Sequence, residues 1–173
     1  FIDKTKDKRI HIISHFDTDG ITSAAIIVKT LERLGKHFST KIIKILSQEE
    51  INNLPEDKII IMTDLGSGSI EQLGLSRKQI FIIDHHEISA YKIPENIKIL
   101  NPHLLEEDNL CSAELSYLFS KSISESNKDL ANLSLIGMVG DVMEKNVNII
   151  RNQIIKDSNV IIKKGLLIYP STR

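Results

Sequence analysis

The sequence predicts an α/β fold: a doubly wound, mainly parallel five-stranded sheet with flanking helices and an all-helical C-terminal part. Three observations carry that prediction. Ile10–Ile13, Ile59–Met62 and Ile80–Ile83 are short apolar runs with almost no polar alternation, as expected of strands covered on both faces. These runs alternate with segments of helical period. Finally, polar residues gather where the runs stop, and in an open parallel sheet the carboxyl ends of the strands face the ligand crevice.

Length and composition set the bounds. A chain of 173 residues makes one ordinary domain, 1–173, able to bury roughly two thirds of its unfolded surface. Its single cysteine, Cys111, excludes an internal disulfide and fits a reducing compartment. No apolar run approaches the roughly 18 to 20 residues that span a bilayer, so the chain reads as soluble and cytoplasmic, with no membrane partner. A formal charge of −1 gives no global attraction for nucleic acid, and a polyanion must be attracted locally. Lys41, Lys44, Lys156, Lys163 and Lys164 are scattered basic positions that fit a solvated face better than a strand-tracking groove.

The elements follow in order, with the sheet expected over about 8–101 and the helical part over about 109–165. After the first strand comes Ser14-His15-Phe16-Asp17-Thr18-Asp19-Gly20. In extended geometry His15, Asp17 and Asp19 alternate and share one face. Carboxylates held that close repel unless a cation sits between them. A helix is expected from near Ile21 to Leu34, with Ile21, Ala24, Ala25, Val28, Leu31 and Leu34 on its apolar stripe and Gly35 as its stop. Lys41–Leu46 reads as the second strand, and Ser47-Gln48-Glu49-Glu50 carries the start signal of a short helix.

Lys58–Thr63 is the third strand and ends at Asp64. A small-residue turn, 65–69, and a short helix over 70–75 lead to the fourth strand, 79–83, which stops at Asp84-His85-His86. Ile97–Leu100 is a weaker fifth strand closed by Asn101-Pro102. Helices follow: 111–123, with Ser112 or Asn109 as cap; 129–143, where Gly137 and Gly140 suggest a close backbone approach before Asp141; and 147–163, an amphipathic helix or pair.

His15-x-Asp17-x-Asp19-Gly20, then Asp64, then Asp84-His85-His86, then Gly140-Asp141 resemble, in their usual order, the four motifs of the DHH phosphoesterases. Ser112-Ala113-Glu114 and Asn101-Pro102 are also similar to that family. The match spans residues 10–143, and its first motif is closest to the RecJ-like branch, particularly the archaeal members. The resemblance implies a metal-dependent phosphodiesterase hydrolysing single-stranded DNA or RNA as an exonuclease by a two-metal mechanism, with roles in DNA repair and replication. His15 and Asp17 would hold one ion, Asp19, His85 and Asp141 the other, and Asp64 would bridge them. Asp84 would fix the His85 ring, and His86 would face the scissile phosphate as acid or hydrogen-bond donor, so these two complete the catalytic set. Ser112 would offer a hydroxyl to a second phosphate, although a plain helix cap suits it as well.

Four carboxylates and two imidazoles without thiolate suit two Mn²⁺, or Mg²⁺, better than structural zinc. Two alternatives stand beside the nuclease: a replisome interaction module associated with the GINS complex, and an oligonucleotide or cyclic-dinucleotide phosphodiesterase. The chain begins at Phe1 and stops at Arg173, which reads as a fragment whose second, substrate-gripping domain has been truncated.

Overall fold

Isoleucine decides the centre of the molecule. In the computed structural model, which describes residues 8–104, 110–145, 148–158, 160–163 and 166–168, Ile12, Ile60, Ile61, Met62, Ile82 and Ile83 are all fully buried. They lie on β1 (Arg9–His15), β3 (Lys58–Thr63) and β4 (Ile80–Ile83), with β2 (Phe38–Ile43) and β5 (Ile97–Leu100) at the edges. All five strands run parallel, in the order β2-β1-β3-β4-β5. β-Branched side chains suit strands buried on both faces.

Helices close both faces. α2 (Gln48–Asn52) and α3 (Ile70–Leu75) place Ile51, Ile70 and Leu73 against Ile13, Ile60 and Ile82. On the opposite face α1 (Thr18–Arg33) and α4 (Ser112–Ile123) place Ile27, Leu31 and Leu115 against Ile12, Ile61 and Ile83. A third cluster, including Tyr117, Leu135, Met138 and Ile154, fastens α5 (Ala131–Gly140) and α6 (Ile149–Ser158) to α4. The winding reverses between β1 and β3, so a crevice is expected outside their carboxyl ends.

Several boundaries differ from expectation. α1 begins at Thr18, three residues before Ile21, because Asp17 caps it and accepts from the Gly20 N–H. Its buried stripe is rotated as well: Ile21 and Leu34 are exposed, whereas Thr22, Ser23 and Thr30 are buried. Their hydroxyls bond to carbonyls one turn back, Thr22 to Thr18, Ser23 to Asp19 and Thr30 to Ile26, so polar residues can occupy an inward face. β2 lies at 38–43 instead of 41–46, as an edge strand with Ile45 left exposed.

The expected 129–143 helix is split into a 3-10 turn, Glu125–Leu130, and α5. The all-helical C-terminal part is also corrected. α6 stops at Ser158, and Ile161–Lys163 (β6) pairs antiparallel with Leu166–Ile168 (β7); a short isoleucine run cannot be assigned to helix or strand by periodicity alone. Asn109 and Lys164 lie outside the described residues. Among those described, no helix is long and apolar enough to cross a membrane.

Candidate metal centre

β1 ends at His15, and the chain turns at once into α1. The turn is held by Ser14, whose hydroxyl donates to the Gly20 carbonyl at 2.6 Å, and by Asp17, whose Oδ1 accepts from the Gly20 N–H at 2.9 Å. A Cβ on Gly20 would stand 2.3 Å from the His15 carbonyl oxygen, so only glycine lets the backbone close here. His15, Asp17 and Asp19 therefore converge through a turn, and not through strand alternation. Asp17 Oδ2 meets His15 Nδ1 at 2.7 Å, while Asp19 sits fully buried in the first turn of α1.

Asp19 is anchored from another element. Its two oxygens accept the N–H groups of Ser112 and Ala113, each at 2.8 Å, so the carboxylate lies on the amino end of α4, where free amides and the helix dipole favour negative charge. Gly137 makes room: a Cβ there would fall 2.7 Å from Asp19 Oδ1 and 2.4 Å from Ala113 Cβ. The close approach expected of α5 is thus an approach to the site itself.

Asp64 follows β3 with φ of 59°, a left-handed conformation that Asp tolerates better than most residues. Its Oδ1 accepts from the Ser112 hydroxyl at 3.0 Å. Its Oδ2 is buried with no hydrogen-bond partner, yet lies 3.4 Å from His15 Nδ1. Burial, followed by the charges of Asp19 and Asp17, pushes the Asp64 carboxyl up to about 10. Asp141 ends α5 and is pushed up to about 6 by burial, then by Asp19 and Asp17. His85 Nε2 stands 3.1 Å from Asp141 Oδ2, 3.5 Å from Asp64 Oδ1 and 4.0 Å from Asp19 Oδ2. The pair with Asp141 lacks hydrogen-bond geometry, and Asp141 Oδ2 is left without a partner.

Asp84 is placed differently from the sequence expectation. It does not bond to the His85 ring; Oδ1 accepts from His86 Nδ1 at 2.7 Å and from the His85 N–H at 2.8 Å, and Oδ2 accepts from the Ser67 N–H at 2.9 Å. Burial pushes this carboxyl up, but the bonds from His86 and Ser67 outweigh burial and hold it at about 2. The bond to Asp84 raises the His86 imidazole above its ordinary value, whereas burial lowers His85. Asn101 donates to the His86 carbonyl at 2.9 Å and to the Ser67 hydroxyl at 3.0 Å, pinning the loop that presents both histidines. Ser112 is not the cap of α4; Cys111 takes that position, and the Ser112 hydroxyl and N–H are both spent on carboxylates.

The structure thus brings all six expected donors to one crevice. His15, Asp17 and Asp64 form one group whose donor atoms lie within 4.8 Å of each other, and Asp19, His85 and Asp141 form another; Asp64, His85 and His86 form a third. Carboxylates buried this close, with an orphaned oxygen on Asp64 and another on Asp141, can shed their mutual repulsion only by taking protons or cations. An oxygen-rich set with imidazole and no thiolate fits divalent ions such as Mn²⁺ or Mg²⁺.

Sequence reasoning missed what lies behind the site. Glu114, on the first turn of α4, is fully buried and forms a two-pronged ion pair with the equally buried Arg151 of α6, at 2.6 and 2.8 Å. Glu114 also accepts from the Cys111 N–H, and Arg151 donates to the Met143 carbonyl, two residues past Asp141. The acid was visible only as part of Ser112-Ala113-Glu114; Arg151 left no signal.

Carboxylates and imidazoles collected at the winding reversal of a doubly wound parallel sheet define a class of α/β domain with a candidate metal centre. This chain belongs to the DHH family: residues 9–138 match the family's N-terminal domain. It is 34% identical over 143 residues to uncharacterized protein MJ0831 of Methanocaldococcus jannaschii, covering 77% of this chain and 33% of the relative. The fold is similar to the crystal structure of an exonuclease RecJ bound to manganese, with a TM-score of 0.74 and 20% identity over 87% of this chain and 43% of that one. It is also similar to CDC45 from Entamoeba histolytica, with a TM-score of 0.66 and 17% identity over 92% and 36% of the two chains. The chain spans about a third of the length of the Methanocaldococcus relative and under half of either solved structure.

Proposed function

We propose that this chain is the metal-binding domain of a phosphodiesterase that shortens single-stranded nucleic acid, DNA or RNA, from an end. The observation that carries the reading is Asp64, a buried carboxylate with one orphaned oxygen standing between two groups of metal-capable side chains. Family membership and the likeness to an exonuclease RecJ bound to manganese support it.

His15 and Asp17 would hold one divalent ion and Asp19, His85 and Asp141 a second, with Asp64 shared. When bound, such ions supply Lewis acidity and neutralise charge on a phosphodiester. The chain's own residues do the rest. The amides of α4 hold Asp19, the Ser112 hydroxyl orients Asp64, and Asp84 fixes the His86 ring and keeps a proton on it. His86, its side chain 56% exposed, would present a proton on Nε2, the ring nitrogen not bonded to Asp84, as a hydrogen-bond donor to the phosphate. A second, substrate-gripping domain outside this chain would set affinity for long strands.

A second reading, a GINS-associated replisome interaction module, draws on the likeness to CDC45. One experiment separates the two. With Mn²⁺, the protein is expected to release nucleotides from a labelled single strand, and Asp64→Ala to lose that activity by orders of magnitude while still folding. Cleavage unchanged in Asp64→Ala, or no cleavage of any single strand or dinucleotide by the full-length native protein, would overturn the nuclease. GINS affinity unchanged by Asp64→Ala, with no cleavage in either protein, is the result the module predicts.

A further inference from the structure

Phe16 is set between two ligand-like residues, yet the metal chemistry gives it nothing to do. Its ring is 48% exposed, whereas Phe81 and Phe119 pack against each other at 5.0 Å and Phe81 lies in the core. The Phe16 ring stands edge-to-face on the His15 imidazole, with centroids 4.9 Å apart and planes at 84°. Just past the end of the neighbouring strand, where Ile43 pairs with His15, Lys44 extends its Nζ to 5.8 Å from the Phe16 centroid. That is the outer limit of a cation–π contact, and in water it is worth little. Lys41 is paired with Glu50; Lys44 has no ion pair among the described residues.

We infer that Phe16 and Lys44 form a nucleobase-stacking subsite at the rim of the carboxylate cluster, selecting phosphodiesters that carry a base next to the scissile phosphate. The inference rests on the phosphodiesterase reading and deepens it. Half-exposing an aromatic ring forfeits burial energy, and a tight turn closed by Ser14, Asp17 and Gly20 does not require an aromatic residue at position 16. A phosphate next to the ion that His15 and Asp17 would hold would bring its own nucleoside near the adjacent residue 16. The ring offers a flat face, and the Lys44 ammonium is free to leave it for the next phosphate. Stacking of this kind tolerates every base, since each has a π face. The subsite therefore gives preference for nucleotides over base-free phosphodiesters or polyphosphate without sequence preference.

The test compares two single strands identical except that one carries base-free tetrahydrofuran residues at both ends. The full-length protein is assayed with Mn²⁺ as wild type, Phe16→Leu and Phe16→Trp. The ratio of kcat/KM for the base-bearing to the base-free strand is expected to fall on the order of ten-fold in Phe16→Leu, mainly through KM, and to be kept in Phe16→Trp. Because the readout is a ratio within each protein, a general loss of folded enzyme cancels. A ratio unchanged in Phe16→Leu, or lost equally in Phe16→Trp, overturns the subsite while leaving the phosphodiesterase standing. Wild-type protein that cuts neither strand overturns both.

Discussion

Two groups of charges, one half-buried and one fully buried, lie on either side of the first turn of α4, and they are built on opposite rules. In front, Asp17, Asp19, Asp64 and Asp141 face two imidazoles with no Lys or Arg ion-paired to them among the described residues. Behind, Glu114 and Arg151 neutralise each other in a two-pronged contact, 0% and 1% exposed. The same turn serves both: Ser112 and Ala113 bond to Asp19 and Asp64, and Glu114 bonds to Arg151. A balanced pair needs nothing further and can be read as structure. An unbalanced one persists in a folded protein only if protons or a ligand complete it, which is why the front group reads as a site.

The sharpest way to break that comparison is to unbalance the rear pair. Arg151→Met leaves Glu114 buried without a counter-charge, for which the expected loss is about 3–5 kcal/mol of unfolding free energy. Adding Glu114→Leu should recover much of it, because the two changes act on one interaction. Urea denaturation of the single and double variants measures both. A single variant that loses less than about 1 kcal/mol would mean that the rear pair is not the self-sufficient unit described.

The front group is tested by pH. Asp141 is raised to about 6 and Asp64 to about 10, from about 4 in an unfolded chain. At these two groups the native state holds more protons than the unfolded one, and without metal their contribution to stability falls as pH rises. The loss begins near pH 4, runs to about 6 for Asp141 and continues towards 10 for Asp64. Mn²⁺ should reverse it, adding about 2.7 kcal/mol at a hundred times its Kd, with the larger gain at pH 8 than at pH 5 because fewer protons compete. Thermal melts in EDTA and in Mn²⁺ across that range measure the slopes. Asp64→Asn should flatten the metal-free slope above pH 6 and abolish most of the gain from Mn²⁺; a melt in EDTA that is flat from pH 5 to 9 would contradict the account.

The two regions also differ in how far the sequence shows them. Asp64 and Asp84-His85 could be placed because each ends a run too apolar to be anything but an internal strand, and strand ends in a parallel sheet share one rim. Gly137 could be read as a close approach, though not that Asp19 and Ala113 are what it approaches. The rear pair was hidden because Glu114 and Arg151 are 37 residues apart and each, on its own helix, looks like an ordinary surface charge. The buried stripe of α1 escapes an apolar period for a related reason: Ser23 and Thr30 satisfy their hydroxyls within the helix and so are buried as if they were apolar. Side chains that answer to distant or backbone partners leave no period to detect.

Ser112 bonds to the front group from the helical turn that also carries Glu114, and its substitution should have the smallest effect of the three. In Ser112→Ala the N–H to Asp19 survives and only the hydroxyl bond to Asp64 Oδ1, at 3.0 Å, is lost. A buried hydrogen bond of this kind is worth about 0.5–1.5 kcal/mol net, and alanine returns a little through helix propensity. The expected cost is therefore about 1 kcal/mol in urea denaturation, with a shift in Mn²⁺ affinity of less than about ten-fold, because the hydroxyl orients Asp64 without changing its charge. The sequence had offered this hydroxyl to a second phosphate of the substrate, and the same variant decides between the two roles. If the bond to Asp64 is what matters, cleavage falls in step with Mn²⁺ affinity and is restored by raising Mn²⁺. If cleavage falls far more than affinity, with the loss in KM for the strand at saturating Mn²⁺, the hydroxyl leaves Asp64 to meet the substrate.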